Sequence, residues 1–182
     1  MLSLHKHTTK TTIYFVLFIC FVGACKQPES KLNKYGALLE NVIVSDTGAF
    51  RGFSLGAKMD SVQAHEKSQP TEVDDGYLYY EFKLDSSNSF NVTYNFDETG
   101  LSEIQSDIFI KNPENADRIF ASFKQFFDDH YGPSESHEDF LIWTVKSSKY
   151  GEVRINLSDE SADFTVPNSP GKLSIWVYPD NN

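Results

Sequence analysis

The residue best placed to do chemistry is Cys25, which closes an uncharged run over residues 13–24 and follows two small residues, Gly23 and Ala24. Ahead of that run stand Lys6, Lys10, His5 and His7, with no acid among the first twelve residues. A basic start, a short apolar stretch and a small-residue site that admits the backbone to a peptidase are the parts of a secretory signal. As a helix, residues 11–25 would extend about 22 Å, short of the roughly 30 Å of a bilayer's hydrocarbon core, so a cleaved signal is expected rather than a transmembrane helix. The other cysteine, Cys20, lies inside the segment that would be removed. No disulfide is then open to the mature chain, which must stand on its core.

Val22-Gly23-Ala24-Cys25 resembles the lipobox of bacterial lipoproteins, with an aliphatic residue three before the cysteine and two small ones between. The resemblance implies that the Cys25 thiol receives a diacylglycerol, that cleavage falls between Ala24 and Cys25, and that the new amino terminus is acylated, as with palmitate. Several acyl chains, each contributing about 0.8 kcal/mol per buried methylene, hold a protein on a bilayer durably where one chain does not. Lys26 after the cysteine resembles outer-membrane sorting, so the expected address is the cell envelope, at the outer membrane. An ordinary secretory signal with Cys25 merely near the cleavage site is the competing reading.

Signals for other chemistry are thinner. His65, His130 and His137 are the histidines after Cys25, and Asp128-Asp129-His130 and His137-Glu138-Asp139 place carboxylates beside two of them. No pair has the helical i, i+4 spacing that zinc sites use, so a solvated acidic loop is expected, with His130 complementing a helix C-terminus. Residues 159–163 (DESAD) lack the alternating ligands and central glycine of a calcium loop. There is no Gly-x-Ser-x-Gly elbow and no recognisable Ser-x-x-Lys set. Glu81, between Tyr80 and Phe82, is the one acid inside an aromatic strand and reads as solvent-facing. No cofactor or metal is expected, and the chain is expected to be non-enzymatic.

The chain has 182 residues, 26 of them acidic against 16 basic, for a net charge of −10, and removing the signal takes Lys6 and Lys10 with it. An acidic surface lacks the basic footprint that nucleic acid needs. It also argues against lying flat on anionic lipid, which leaves the holding to the acyl group.

The elements follow from periodicity. Residues 26–34 read as a polar tether, and residues 35–44 are apolar enough to be ordered, as a helical turn or an edge strand. Met59, Val62 and the 65/66 pair have helical spacing. Residues 77–84, 90–96 and 101–110 alternate as three strands of an antiparallel meander, with Phe90, Val92, Tyr94 and Phe96 on one face. Asn112 as cap and Pro113 at the first helical position open a helix with the stripe Ala116, Ile119, Phe120, Phe123 and Phe127; Gly132-Pro133 closes it. Three more strands cover residues 140–146, 153–157 and 173–178, the first apolar on both faces and so expected to be central. The expected fold is α+β: an antiparallel sheet of about six strands in an αβββ-αβββ order, two helices on one face. The division is 1–24 signal, 25–48 tether and lead-in, and 49–180 a single domain.

Gly52-Phe53-Ser54-Leu55-Gly56 with Val62, and Tyr131-Gly132-Pro133 followed by Trp143, resemble small αβββ envelope lipoproteins of the SmpA/OmlA and β-lactamase-inhibitor-like types. Tyr77, Tyr79, Trp176 and Tyr178 fall opposite their strands' main apolar sets and are expected to form an aromatic patch for a partner, unless residues 35–44 cover it. The function expected is to bind or scaffold another envelope protein; the alternative is a small-ligand or inhibitor-type binding domain displayed on the membrane.

Overall fold

Eight strands form one antiparallel sheet in the order β1-β2-β3-β4-β8-β7-β6-β5, in a computed structural model that describes residues 30–163 and 169–180. Residues 1–24 and Cys25, and with them the signal and lipid-attachment readings, lie outside the described residues. The strands are β1 (Glu72–Asp74), β2 (Tyr77–Lys83), β3 (Ser89–Asp97), β4 (Gly100–Ile110), β5 (Glu135–His137), β6 (Phe140–Ser147), β7 (Gly151–Asp159) and β8 (Gly171–Pro179). The helices are α1 (Ala37–Ile43), α2 (Met59–His65) and α3 (Ala116–Tyr131). The α+β class and the antiparallel sheet are as expected from the sequence, but the strand count is eight rather than six and the helix count three rather than two. Each four-strand run is a meander, and the two meet where β4 pairs with β8.

The added strands, β1 and β5, are three-residue edges whose residues are all exposed. Very short edge strands leave little unpaired backbone for other chains to add to. The run apolar on both faces, β6, is not central; it lies between β7 and the β5 edge. Its outward Phe140 and Ile142 are half-buried on the face away from the helices, which accounts for the double-sided apolar reading.

One face carries the core. The row Leu78–Tyr94–Ile104–Val177–Ile155–Trp143 crosses the sheet in register, and all six are buried. Over it lies α3, whose Ala116, Phe123, Phe126 and Phe127 are buried. Asn112 Oδ1 accepts from the Glu114 backbone N–H at 3.1 Å, so the expected cap opens a 3-10 turn that leads into α3. The Trp143 indole donates to Asp128 Oδ1 at 3.0 Å and its ring sits 5.0 Å from Phe127, which fixes the helix end to β6.

Residues 35–44 are helical and pack on the helix side. Leu39, Val42 and Ile43 of α1 are buried, and Tyr35 meets Phe126 edge-on at 5.3 Å. Packing begins by Leu32, itself buried. Phe126, outside the expected stripe, is buried for this reason: α3 faces a sheet on one side and the lead-in on the other.

The turn before α2 docks on the start of β4, where the Gly56 N–H donates to Leu101 O at 2.6 Å and the Leu101 N–H to Ala57 O at 2.8 Å. Gly100 beside it has φ +111°, and a Cβ there would lie 2.7 Å from Gly56 O, so only glycine fits.

Under that turn lies a buried charge. Arg51 (φ +52°) forks onto Glu66 through Nε–Oε1 at 2.9 Å and Nη2–Oε2 at 2.7 Å, both side chains being 5 % exposed. Its Nη1 donates to Val42 O at 2.5 Å, and its guanidinium lies 4.7 Å from the Phe82 ring centre. The Tyr94 hydroxyl donates to Glu66 as well. Burial, together with the Glu66 carboxylate, pushes the Tyr94 phenol well up, which keeps it a donor. One ion pair thus ties α1, the end of α2 and β3.

Candidate functional site

Among the described residues, all three helices share the core face, and no helix covers the opposite one. Strand pleating sends Tyr79, Thr93, Gln105, Trp176, Asn156 and Ile142 to that uncovered face as one continuous row. A second row beside it runs Glu81, Asn91, Asp107, Ser174, Ser158 and Phe140. The face is therefore polar along its middle, with aromatic rings set among hydroxyls, amides and carboxylates.

The expected aromatic patch divides in two. Tyr77 and Tyr79 lie on β2, while Trp176 and Tyr178 lie on β8, with ring centres 6.3 Å apart. Three strand steps separate Tyr79 from Trp176, about 14 Å at the usual spacing. The β2 hydroxyls are engaged locally: Tyr77 donates to Glu72, and Tyr79 to Glu81 Oε1 at 3.1 Å. Glu81 is exposed, as its alternation requires. Residues 35–44 do not cover these rings, because they pack on α3 across the sheet.

Trp176 of the β8 pair borders a recess of about 210 Å³. Trp176, 41 % exposed, and Phe140 supply its aromatic walls, with Gln105 beside Trp176 on the β4 side of the same face. Asn156 and Ser158 line its buried side, at 7 % and 2 % exposure. Glu160, Lys172 and Ser174 complete it.

A charged network spans one side of this recess. Lys172 Nζ donates to Glu160 Oε2 at 2.8 Å and lies 3.2 Å from Asp107 Oδ1. Ser158 donates to Glu160 Oε1 at 3.1 Å, and Ser174 to Asp107 Oδ1 at 2.7 Å. Burial alone would lower the Lys172 pKa, but Glu160 and Asp107 outweigh it and hold the ammonium above its ordinary value. Burial likewise works against ionising Glu160, and the bond from Lys172 overrides it, so that carboxyl sits below its usual range. Lys172 is thus a fixed cation with no lone pair to offer, and it cannot activate the neighbouring serines as a base.

Asn156 is the unfinished member. Its Nδ2 donates to the Tyr178 hydroxyl at 3.1 Å, while its buried Oδ1 has no hydrogen-bond partner. Leaving a buried acceptor unpaired costs about 1–3 kcal/mol, and such groups concentrate where something else completes them. A hollow of about 540 Å³ beside Tyr79, Lys83 and Phe109 on the same face contains no such group.

Of the stretches weighed for a metal, residues 159–163 supply Glu160 to this recess, whereas His65, His130 and His137 do not line it. His130 Nδ1 is 2.8 Å from Phe126 O at the end of α3, where a helix C-terminus favours an imidazole. Among the described residues, no three or more His, Cys, Asp or Glu side chains are grouped to hold a metal ion. No described helix is long and apolar enough to cross a membrane. No protein-family model, curated protein or solved structure matches the chain.

Sequence reasoning does not single out Asn156, Ser158 or Lys172, and it weighs Glu160 only within residues 159–163 as a calcium loop. The available signal was the pairing of a polar strand with the Trp176 strand, but the register that joins them links residues far apart in sequence.

Proposed function

We propose that the chain is an acyl-anchored envelope lipoprotein that works by binding, with the helix-free sheet face as its recognition surface and a small polar ligand as its target. The observation that carries this reading is the recess beside Trp176, lined by Asn156, whose buried carbonyl oxygen has no hydrogen-bond partner. Its size supports a small occupant, since it lies below the roughly 300–1,000 Å³ of drug-sized pockets. A binding role rather than a catalytic one is supported by the ion-paired Lys172, which is held as a cation and does not serve Ser158 or Ser174 as a base.

Docking of another envelope protein is the second reading. It is favoured by the span of the face, where two aromatic pairs about 14 Å apart suit an extended partner. Both readings place the domain at a membrane through Cys25.

The anchor has its own test. Cells fed a labelled fatty acid are expected to label the wild-type chain, and Cys25→Ser is expected to abolish the label. Label that persists in the variant would overturn the lipid-anchor reading and leave an ordinary secretory signal.

A further inference from the structure

We infer that the recess between Trp176, Asn156 and Lys172 is a saccharide site that takes a neutral pyranose ring. This deepens, and rests on, the reading of the helix-free face as a small-ligand surface. A pyranose has two kinds of surface, a face of C–H groups and an equator of hydroxyls. The recess offers a match for both.

Trp176 stands 41 % exposed on an otherwise polar sheet face. The negative face of an indole attracts the weakly positive C–H face of a sugar and excludes water from it. Around it, groups of both polarities converge, as hydroxyls that donate and accept require. Carboxylate oxygens of Glu160 accept, and the Lys172 ammonium and the Gln105 amide donate. Asn156, which lines the recess, carries a buried Oδ1 with no partner that a small shift of its amide would bring to a ligand hydroxyl.

Several of these groups are already held in place. Glu160 is braced by Lys172 and Ser158, and Asn156 by Tyr178, so a ligand pays little to order them.

The charge selects against anions. Two carboxylates, Glu160 and Asp107, flank the single ammonium, and the chain as a whole carries −10. Uronic acids and phosphorylated sugars are therefore disfavoured, and neutral hexoses or N-acetylhexosamines fit.

The test uses the full-length chain extracted from membranes in a sugar-free zwitterionic detergent, because glycoside detergents would compete. It is applied to an array of hexose, N-acetylhexosamine and uronic-acid oligosaccharides. Binding to at least one neutral glycan is expected, with uronic acids at background. The Trp176→Ala chain is expected to bind at least tenfold more weakly, and Asn156→Ala several-fold more weakly, each checked for an unchanged melting profile. Gln125→Ala, on the far side of the molecule, is expected to bind as wild type. Trp176 is exposed, so its variant is not at risk of unfolding. No binding to any glycan, equal binding to uronic acids, or full binding by Trp176→Ala would each overturn the saccharide assignment. Capture of a protein from this face in cells, with a blank array, would leave the face as a recognition surface and remove only the sugar.

Discussion

Glu66→Ala is expected to lower the free energy of unfolding by about 3–5 kcal/mol, the usual result of removing one partner from a buried ion pair. The loss has three parts at this site. The Arg51 guanidinium keeps its place against Phe82 and Phe90 but loses both bonds of its fork. The Tyr94 hydroxyl loses its acceptor, and the end of α2 loses its tie to the turn that carries Arg51. With a urea slope of about 1–3 kcal/mol per molar, the midpoint should fall by more than about 1 M. Replacing both partners, Arg51→Met with Glu66→Leu, should recover most of the loss, because the desolvation cost of the pair disappears with it. A midpoint for Glu66→Ala within about 0.3 M of wild type would show that the pair is solvated and does not hold the helices together.

Phe123→Ala should cost about 3–5 kcal/mol by a different mechanism. The ring is fully buried on α3, which packs over β6, β7 and β8. Truncation removes its transfer energy and leaves a cavity that Phe127 and Trp143, held by the bond to Asp128, cannot collapse to fill. Gln125→Ala, two residues along and exposed, should change the denaturation midpoint little. Equal midpoints for the two variants would mean that the apolar stripe of α3 does not face the sheet.

These two sites differ in how legible they were. The α3 stripe follows from spacing alone, since apolar residues three and four apart must share a face. The alternation of Phe90, Val92 and Tyr94 likewise identified β3, and all three are buried. Arg51 carried no such mark, and Glu66 only its place in the 65/66 pair of a helical spacing, because nothing local tells a buried ion pair from two surface charges. Their burial comes from a turn at positive φ that folds back under α1 and α2. The strands β1 and β5 were missed because three exposed residues have no period to read. Phe126 was missed because the lead-in, which could not be assigned as helix or strand, is what covers it.

The candidate site was half legible. The pleat put Tyr77, Tyr79, Trp176 and Tyr178 on the face opposite their strands' buried residues, since alternation sets the face of every strand residue. It could not set the strand order, and the interposed β3 and β4 turn one expected patch into two pairs. The recess depends on that order still more strongly. Gln105, Asn156, Phe140 and Lys172 come from four strands, and Glu160 from just beyond β7, so only the paired sheet brings them together.

The account rests most heavily on the helix-free sheet face being where this protein meets its target. The most direct measurement replaces Tyr79, Trp176 or, as a reference on α3, Gln125 with a benzophenone-bearing residue in the full-length chain. Intact cells are then irradiated and the covalent adducts identified by mass spectrometry. Adducts from positions 79 or 176, with none from 125, are the result the account predicts, and their identity as glycan or protein separates the two readings of the target. Adducts from 125 alone, or none from the sheet face, would contradict it.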